Sequence, residues 1–239
     1  MGTVRVVLVR PEAPANIGAV ARVVRNTGLA GLDLVAPGDW RTVECWRTAW
    51  GAQDLLEGAR VHDDLSSALR DASFVAALSG RRESGPPVLD VRDLALEVAA
   101  LEDGEACALV FGPENTGLTD AEMALCGRRV RIPSHPDQPS LNLSHAVMVA
   151  GYEVFRAGRR TAKGPPRALH EDKQRLLDLL REGLLAVEAL PEPVPDGFFQ
   201  EWQGIFTRAD LTPREVRLLE HMARKMVKAG RRAAESRPA

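Results

Sequence analysis

Apolar residues fall along this chain in two patterns: short runs separated by amphipathic stretches up to residue 157, and helical spacing alone beyond residue 169. Val4–Val9, Leu32–Val35, Phe74–Leu78, Ala106–Phe111 and Arg128–Ile132 are short aliphatic runs bounded by turn residues, and they read as strands. Between them, Ile17–Asn26 places apolar residues at 17, 20, 21 and 24 and meets a stop at Gly28, the pattern of an amphipathic helix. Glu44–Leu56, Leu65–Arg70, Val91–Leu101 and Asp120–Leu125 also read as helices, the last with Thr119 as its N-cap. Ser140–Phe155 predicts a long helix that is apolar on most faces, through Leu141, Leu143, Ala146, Val147, Val149, Ala150, Val154 and Phe155. Such a helix must be buried on more than one side, by the sheet and by a second subunit. The alternation of strand and helix predicts an α/β fold, a mostly parallel sheet with helices on both faces.

The second pattern predicts a small all-α C-terminal extension. Leu169–Leu190 is one amphipathic segment, Pro191–Pro195 breaks it, and Phe198–Phe206 follows with aromatics at 198, 199, 202 and 206. Thr212-Pro213-Arg214-Glu215 has the cap, Pro and Glu positions of a capping-box helix start, and Arg231–Ala239 reads as disordered. The expected organisation is a catalytic and cofactor-binding domain over 1–157, a basic linker over 158–168 and a helical extension over 169–239.

With 239 residues, 45% hydrophobic and 27% charged, the chain has an ordinary globular balance and length enough for a substantial core. The net charge of −2 conceals an asymmetry: residues 1–155 carry 14 Lys/Arg against 21 Asp/Glu, and residues 156–239 carry 17 against 12. A basic half suits a polyanionic partner, although a solvated helical surface has the same composition. No apolar run approaches a membrane span and the N-terminus lacks a signal-peptide layout, so a cytoplasmic protein without a membrane partner is expected. Cys45, Cys107 and Cys126 lack CxxC spacing, which argues against a zinc site or a disulfide framework.

Three segments combine a preceding β-like run, small or polar residues and a following helix: Asn16–Arg22, Phe111–Leu118 and Ser140–Ala146. In open α/β sheets that junction is where ligands bind. Arg22 lies on the helix face away from Ile17, Val20, Ala21 and Val24, where its planar fork can meet phosphate or ribose oxygens or simply pair with an acid. Asn16 reads as the cap of that helix, and Gly18 as a point of close approach for another chain or a ligand. Phe111-Gly-Pro-Glu-Asn-Thr-Gly-Leu118 ends a strand with two glycines around Glu114, a carboxylate that needs partners, Arg22 or a ligand ribose among them. It lacks the Lys-Ser/Thr of a phosphate-binding P-loop and the spacing of a dinucleotide fingerprint. Ser140 reads as the cap of the long helix, with Asn142 in its first turn and a Pro-rich loop before it. His135 and His145 belong to no cluster with metal-ligand spacing, and no G-x-S-x-G elbow occurs.

Taken together, the Asn-x-Gly-x-x-x-Arg helix, the Phe-Gly-x-Glu-x-x-Gly-Leu loop and the Ile132-Pro133…Ser-Leu-Asn-Leu-Ser-x-Ala segment resemble the motifs of the SPOUT methyltransferase superfamily, TrmH family, in order and spacing. Ser79-Gly-Arg-Arg-Glu-Ser-Gly-Pro-Pro-Val-Leu-Asp-Val-Arg92, the trailing helices and Phe206–Glu215 resemble the TrmJ-like branch, which methylates ribose 32 of the tRNA anticodon loop. Ser79-Gly80, where that branch more often has Ser-Ala, and Asn115-Thr116 depart from its pattern. The resemblance implies a deep trefoil knot, S-adenosyl-L-methionine (SAM) as cofactor, no metal, a tRNA partner and a homodimer with the active site at the subunit interface. It assigns catalytic positions to Arg22, Asn16, Glu114, Ser140 and Asn142. It assigns cofactor contacts to Ser79, Gly80, Arg81, Gly112, Glu114, Gly117, Ile132, Pro139, Ser140, Leu141 and Asn142. Ribosomal RNA as the substrate, or an RNA-binding protein without catalysis, are the alternatives.

Overall fold

The computed structural model describes residues 2–80, 88–158, 166–190, 194 and 197–235. Arg81, half of the 79–92 segment and most of the expected linker therefore lie outside the described residues. Strands β1 (Thr3–Val9), β2 (Gly31–Val35), β3 (Arg60–His62), β4 (Phe74–Leu78), β5 (Leu89–Asp90), β6 (Ala106–Phe111) and β7 (Arg128–Arg131) form one sheet in the order β3-β2-β1-β6-β4-β7-β5, parallel at every pairing. Alternation along β1 divides its side chains between two apolar cores. Val4, Val6 and Leu8 pack under α1 (Pro14–Thr27), α5 (Val91–Ala99) and α7 (Leu143–Ala157), whereas Val7 and Val9 pack under α4 (Leu65–Leu69) and α6 (Asp120–Ala124). The doubly covered parallel sheet is the expected α/β architecture. β7 enters late, between β4 and β5, and β6 between β1 and β4, so the C-terminal ends of strands distant in sequence become neighbours.

Several local expectations need correction. Residues 44–56 form two helices, α2 (Val43–Thr48) and α3 (Gln53–Glu57), because Gly51 at φ +78 breaks the run. β3 and β5 have no counterpart in the apolar pattern; both are edge strands of two or three residues, too short and too exposed to show alternation. Helix α1 begins earlier than its apolar pattern, with Ala13 as N-cap and Pro14 in the first turn, which places Asn16 inside the helix and not at its cap. Asn142, not Ser140, caps α7: its Oδ1 accepts from the Ser144 amide at 2.9 Å. Thr119 caps α6 in a full capping box, as its sequence predicts.

Helix α7 buries Leu143, Val147, Ala150 and Val154, while Met148, Tyr152 and Phe155 are exposed. The expected second-side burial is thus an unfilled apolar stripe in the single chain. Among the described residues no helix is long and apolar enough to cross a membrane.

Helices α8 (His170–Ala186), α9 (Phe198–Arg208) and α10 (Pro213–Glu235) share a separate apolar cluster. Thr212 and Glu215 close the predicted capping box, with Oγ1 accepting from the Glu215 amide and the Glu215 carboxylate accepting from the Thr212 amide at 2.7 Å. Residues 231–235 are helical, against the expected disorder. Gly230 lets α10 run against α8, where a Cβ would fall 2.1 Å from the Ala186 oxygen, and Arg231 pairs with Glu182 at 3.1 Å. The extension docks on the sheet through Arg128 of β7, which binds Glu97 at 2.8 Å, the Arg208 oxygen at 2.7 Å and Asp210. Lys173 Nζ donates to the Ala209 oxygen at 3.1 Å, and the His170 amide donates to the Ala72 oxygen at 2.6 Å.

Burial, reinforced by Lys173, pushes the His170 imidazole down from 6.5 to about 4. The unfolded chain therefore takes up a proton between those values that the folded chain refuses, so His170 makes stability fall as pH drops from 6.5 to 4. His170→Gln should flatten that limb of the pH dependence, read as urea midpoints between pH 7 and about 4.5. An unchanged slope would assign the acid lability to carboxylates such as Glu114 and Glu122, whose acidity hydrogen bonds also increase.

Candidate functional site

A cleft of about 270 Å³ opens beyond the carboxyl ends of β4, β6 and β7. It is lined by Ser79 and Gly80 after β4, the loop Gly112–Leu118 after β6, Ile132 after β7, and Pro139, Ser140 and Leu141 ahead of α7, with Leu143 and Ala146 from the helix itself. Backbone folding shapes its walls. Gly117 takes φ +66, and its amide donates to the Pro113 oxygen at 2.9 Å, turning the loop back on itself. Gly112 lies so close to the returning strand of this loop that a Cβ would fall 2.4 Å from the Leu118 nitrogen. Ser134 Oγ donates to the Pro139 oxygen at 2.7 Å and holds the Pro-rich loop closed.

Glu114 is the hub of a polar chain at one rim. It accepts from the Glu12 amide at 2.9 Å, the Ala13 amide at 3.2 Å and Asn16 Nδ2 at 2.8 Å. Burial opposes its charge, but these donors outweigh it and hold the carboxyl below the usual range. Asn16 Oδ1 in turn accepts from Asn142 Nδ2 at 3.0 Å, so one hydrogen-bonded line joins all three motifs. The partner of Glu114 is therefore the start of α1, not Arg22. Glu12, absent from the predicted site, answers from the other side by accepting from Asn115 Nδ2 and from the Asn115 amide at 3.4 Å. Its signal in the sequence is slight: an acid between Pro11 and Pro14, just ahead of a helix start.

The family model described as the SpoU rRNA Methylase family matches residues 3–152. The chain belongs to the SpoU methylase family. It is 34% identical over 225 residues to the tRNA (cytidine/uridine-2'-O-)-methyltransferase TrmJ of Escherichia coli strain K12, covering 90% of this chain and 92% of that protein. The crystal structure of TrmJ from Z. mobilis ZM4 superposes with a TM-score of 0.81 at 29% identity, over 93% of this chain and 98% of the other. The SpoU methyltransferase AviRb from Streptomyces viridochromogenes, solved in complex with AdoMet, shares the fold at a TM-score of 0.53 and 23% identity, over 64% of this chain and 60% of its own.

Within this SpoU-family chain, Ser79, Gly80, Gly112, Glu114, Gly117, Ile132, Pro139, Ser140 and Leu141 line one cleft, and Asn16 and Asn142 are tied to its rim. Arg22 is the exception. Six residues beyond Asn16, it lies about 9 Å further along α1 and roughly 120° around the helix, and it is not among the residues that line the cleft. It is exposed and makes no hydrogen bond or ion pair among the described residues. Gly18 does serve close approach, but of α2: a Cβ there would meet the Cys45 oxygen at 2.1 Å. His135 and His145 are exposed, and burial lifts the Cys107 and Cys126 thiols to about 12, which removes both as thiolates at neutral pH.

Proposed function

We propose that this chain transfers a methyl group from SAM to a ribose 2'-hydroxyl of tRNA, at nucleotide 32 of the anticodon loop. One observation carries the reading: the three motif segments meet at a single cleft on the carboxyl edge of the sheet, joined through Glu114, Asn16 and Asn142. The curated relative that covers 90% of the chain, a tRNA 2'-O-methyltransferase by name, supports the same substrate class.

The cleft residues fit SAM. Ile132, Leu141, Leu143 and Ala146 offer an apolar wall for a flat base, while the loops at 79–80, 112–117 and 139–140 offer backbone donors and acceptors at close approach. Bound there, the cofactor supplies an electrophilic methyl on a sulfonium. The knot that the resemblance implies would form these walls, where β7 enters late between β4 and β5.

Arg22 has the other role. A guanidinium offers hydrogen-bond donors and no acceptor, so Arg22 orients the ribose and stabilises charge developing on the 2'-oxygen instead of acting as the base. Arg22 is not among the residues that line the cleft of its own chain, which supports a site completed by the Arg22 of a second copy. The exposed Met148, Tyr152 and Phe155 of α7 supply an apolar face for that homodimer. Asn16, Glu114, Ser140 and Asn142 hold the substrate-side rim. Exposed Arg214, Arg217, Lys225 and Lys228 of α10 give the 169–239 extension cations for tRNA phosphates, beyond the catalytic unit 1–157 and its basic connection at 158–168. This work belongs in the cytoplasm, where tRNA is met.

Labelled SAM and unmodified tRNA should give one 2'-O-methyl group at nucleotide 32, mapped by nuclease digestion and mass spectrometry. Methylation of ribosomal RNA alone would sink the tRNA reading, and calorimetry without SAM binding would sink catalysis.

A further inference from the structure

Arg22 shares its stripe of α1 with Gly18, one turn before it, and Arg25, one turn after. Gly18 is pressed against α2, where a Cβ would fall 2.1 Å from the Cys45 oxygen and 2.2 Å from Thr48 Oγ1. Arg25 pairs with Asp54 of α3. Arg22, between these anchors, therefore runs alongside the turn at 49–52 that joins α2 to α3. That turn presents Trp50 with 75% of its surface exposed. Helix α2, which leads into this turn, carries Val43, 86% exposed, and half-buried Trp46 one turn apart, with exposed Arg47 beside them.

The core uses this face only in part. Helix α2 and its turn contribute Cys45, Ala49 and Ala52 to the core, Trp46 packs against it, and Trp50 and Val43 stand exposed beyond it. A tryptophan this exposed is unusual, and the cluster needs an occupant. The surrounding charge points to its class. Exposed Arg22, Arg41 and Arg47 make no ion pair among the described residues; Asp39 and Glu44 share the segment, and Asp54 is already taken by Arg25. Flat aromatic faces set among guanidinium groups are what unpaired RNA bases bind, by stacking and backbone contact. A second copy of the chain has a more apolar face available on α7.

We propose that Trp50, with Trp46 and Arg47, is a stacking platform for an unpaired base of the RNA, next to the ribose that Arg22 addresses. The proposal rests on the tRNA methyltransferase reading and adds a specificity-determining surface to it. An unpaired loop base adjacent to the target nucleotide is the chemistry that fits.

The test compares Trp50→Ala and Trp50→Phe with the wild type on unmodified tRNA. Trp50→Ala should raise KM for tRNA about 10-fold, with kcat and the SAM dissociation constant unchanged. Trp50→Phe, which keeps a stacking face, should stay near the wild-type KM. Quenching of tryptophan emission by tRNA should shrink in Trp50→Ala. A wild-type KM in Trp50→Ala overturns the platform while leaving the enzyme reading intact. Dissociation of the Trp50→Ala dimer in sedimentation also overturns it, making this face a subunit contact. A wild-type enzyme that methylates no tRNA overturns both readings.

Discussion

Arg22→Ala should lower the rate of methyl transfer to tRNA by about 10²–10³-fold, the usual loss when one fixed donor to a developing oxyanion is removed. SAM binding should be unchanged, since Arg22 lies outside the cleft of its own chain. Fold stability should also hold: the side chain is exposed and anchors no ion pair among the described residues. Arg22→Lys should recover little, because a point charge cannot reproduce a planar fork. Single-turnover methylation with saturating SAM, beside calorimetric SAM titration, separates these effects. Mixing Arg22→Ala subunits with subunits defective in the cleft adds a stronger check. If Arg22 acts across the subunit boundary, the mixed dimer regains one working site; if it acts within its own chain, the mixture stays inactive. Full activity in Arg22→Ala homodimers would remove this residue from the mechanism.

Gly112→Ala should abolish measurable SAM binding, a loss of at least about 100-fold, because a misplaced wall disturbs several contacts together. The added methyl would lie 2.4 Å from the Leu118 nitrogen and 2.5 Å from the Gly117 carbonyl carbon, and both are backbone atoms that move only if the loop moves. Gly80→Ala in the same cleft is the control. Its Cβ would meet the Pro139 oxygen at 3.6 Å, an ordinary contact, and binding should stay within a few-fold of wild type. Calorimetry on the pair, with thermal melts to show that both variants fold, reads the contrast. Equal binding by both would mean that the Gly112–Leu118 loop does not shape the cofactor site.

Much of this site was legible before any coordinates. The three segments stood out because each set small or polar residues between a strand-like and a helix-like run, and Ser79, Gly112, Glu114, Gly117, Ile132 and Ser140 do line one cleft. The order of the motifs carried the family, and the family model over residues 3–152 agrees. Details that depend on a single residue at a boundary were not legible. Asn16 has the composition of a cap, but Pro14 starts the helix earlier and turns Asn16 toward Glu114. Ser140 and Asn142 are both good caps, and only the path of the loop selects Asn142.

The sequence alone determined the parallel α/β sheet, the helical extension and the residue types at the site, because hydrophobic period and turn chemistry are local properties. Tertiary structure decided which polar groups meet. Glu114 turned to the Glu12 and Ala13 amides and Asn16 where pairing with Arg22 had been open, since two loops far apart in the chain converge on one edge of the sheet. It also left Arg22 outside the lining of its own cleft, on the stripe of α1 that Gly18 docks on α2. Partnerships of this kind depend on orientation and register between distant elements, and no local pattern encodes them.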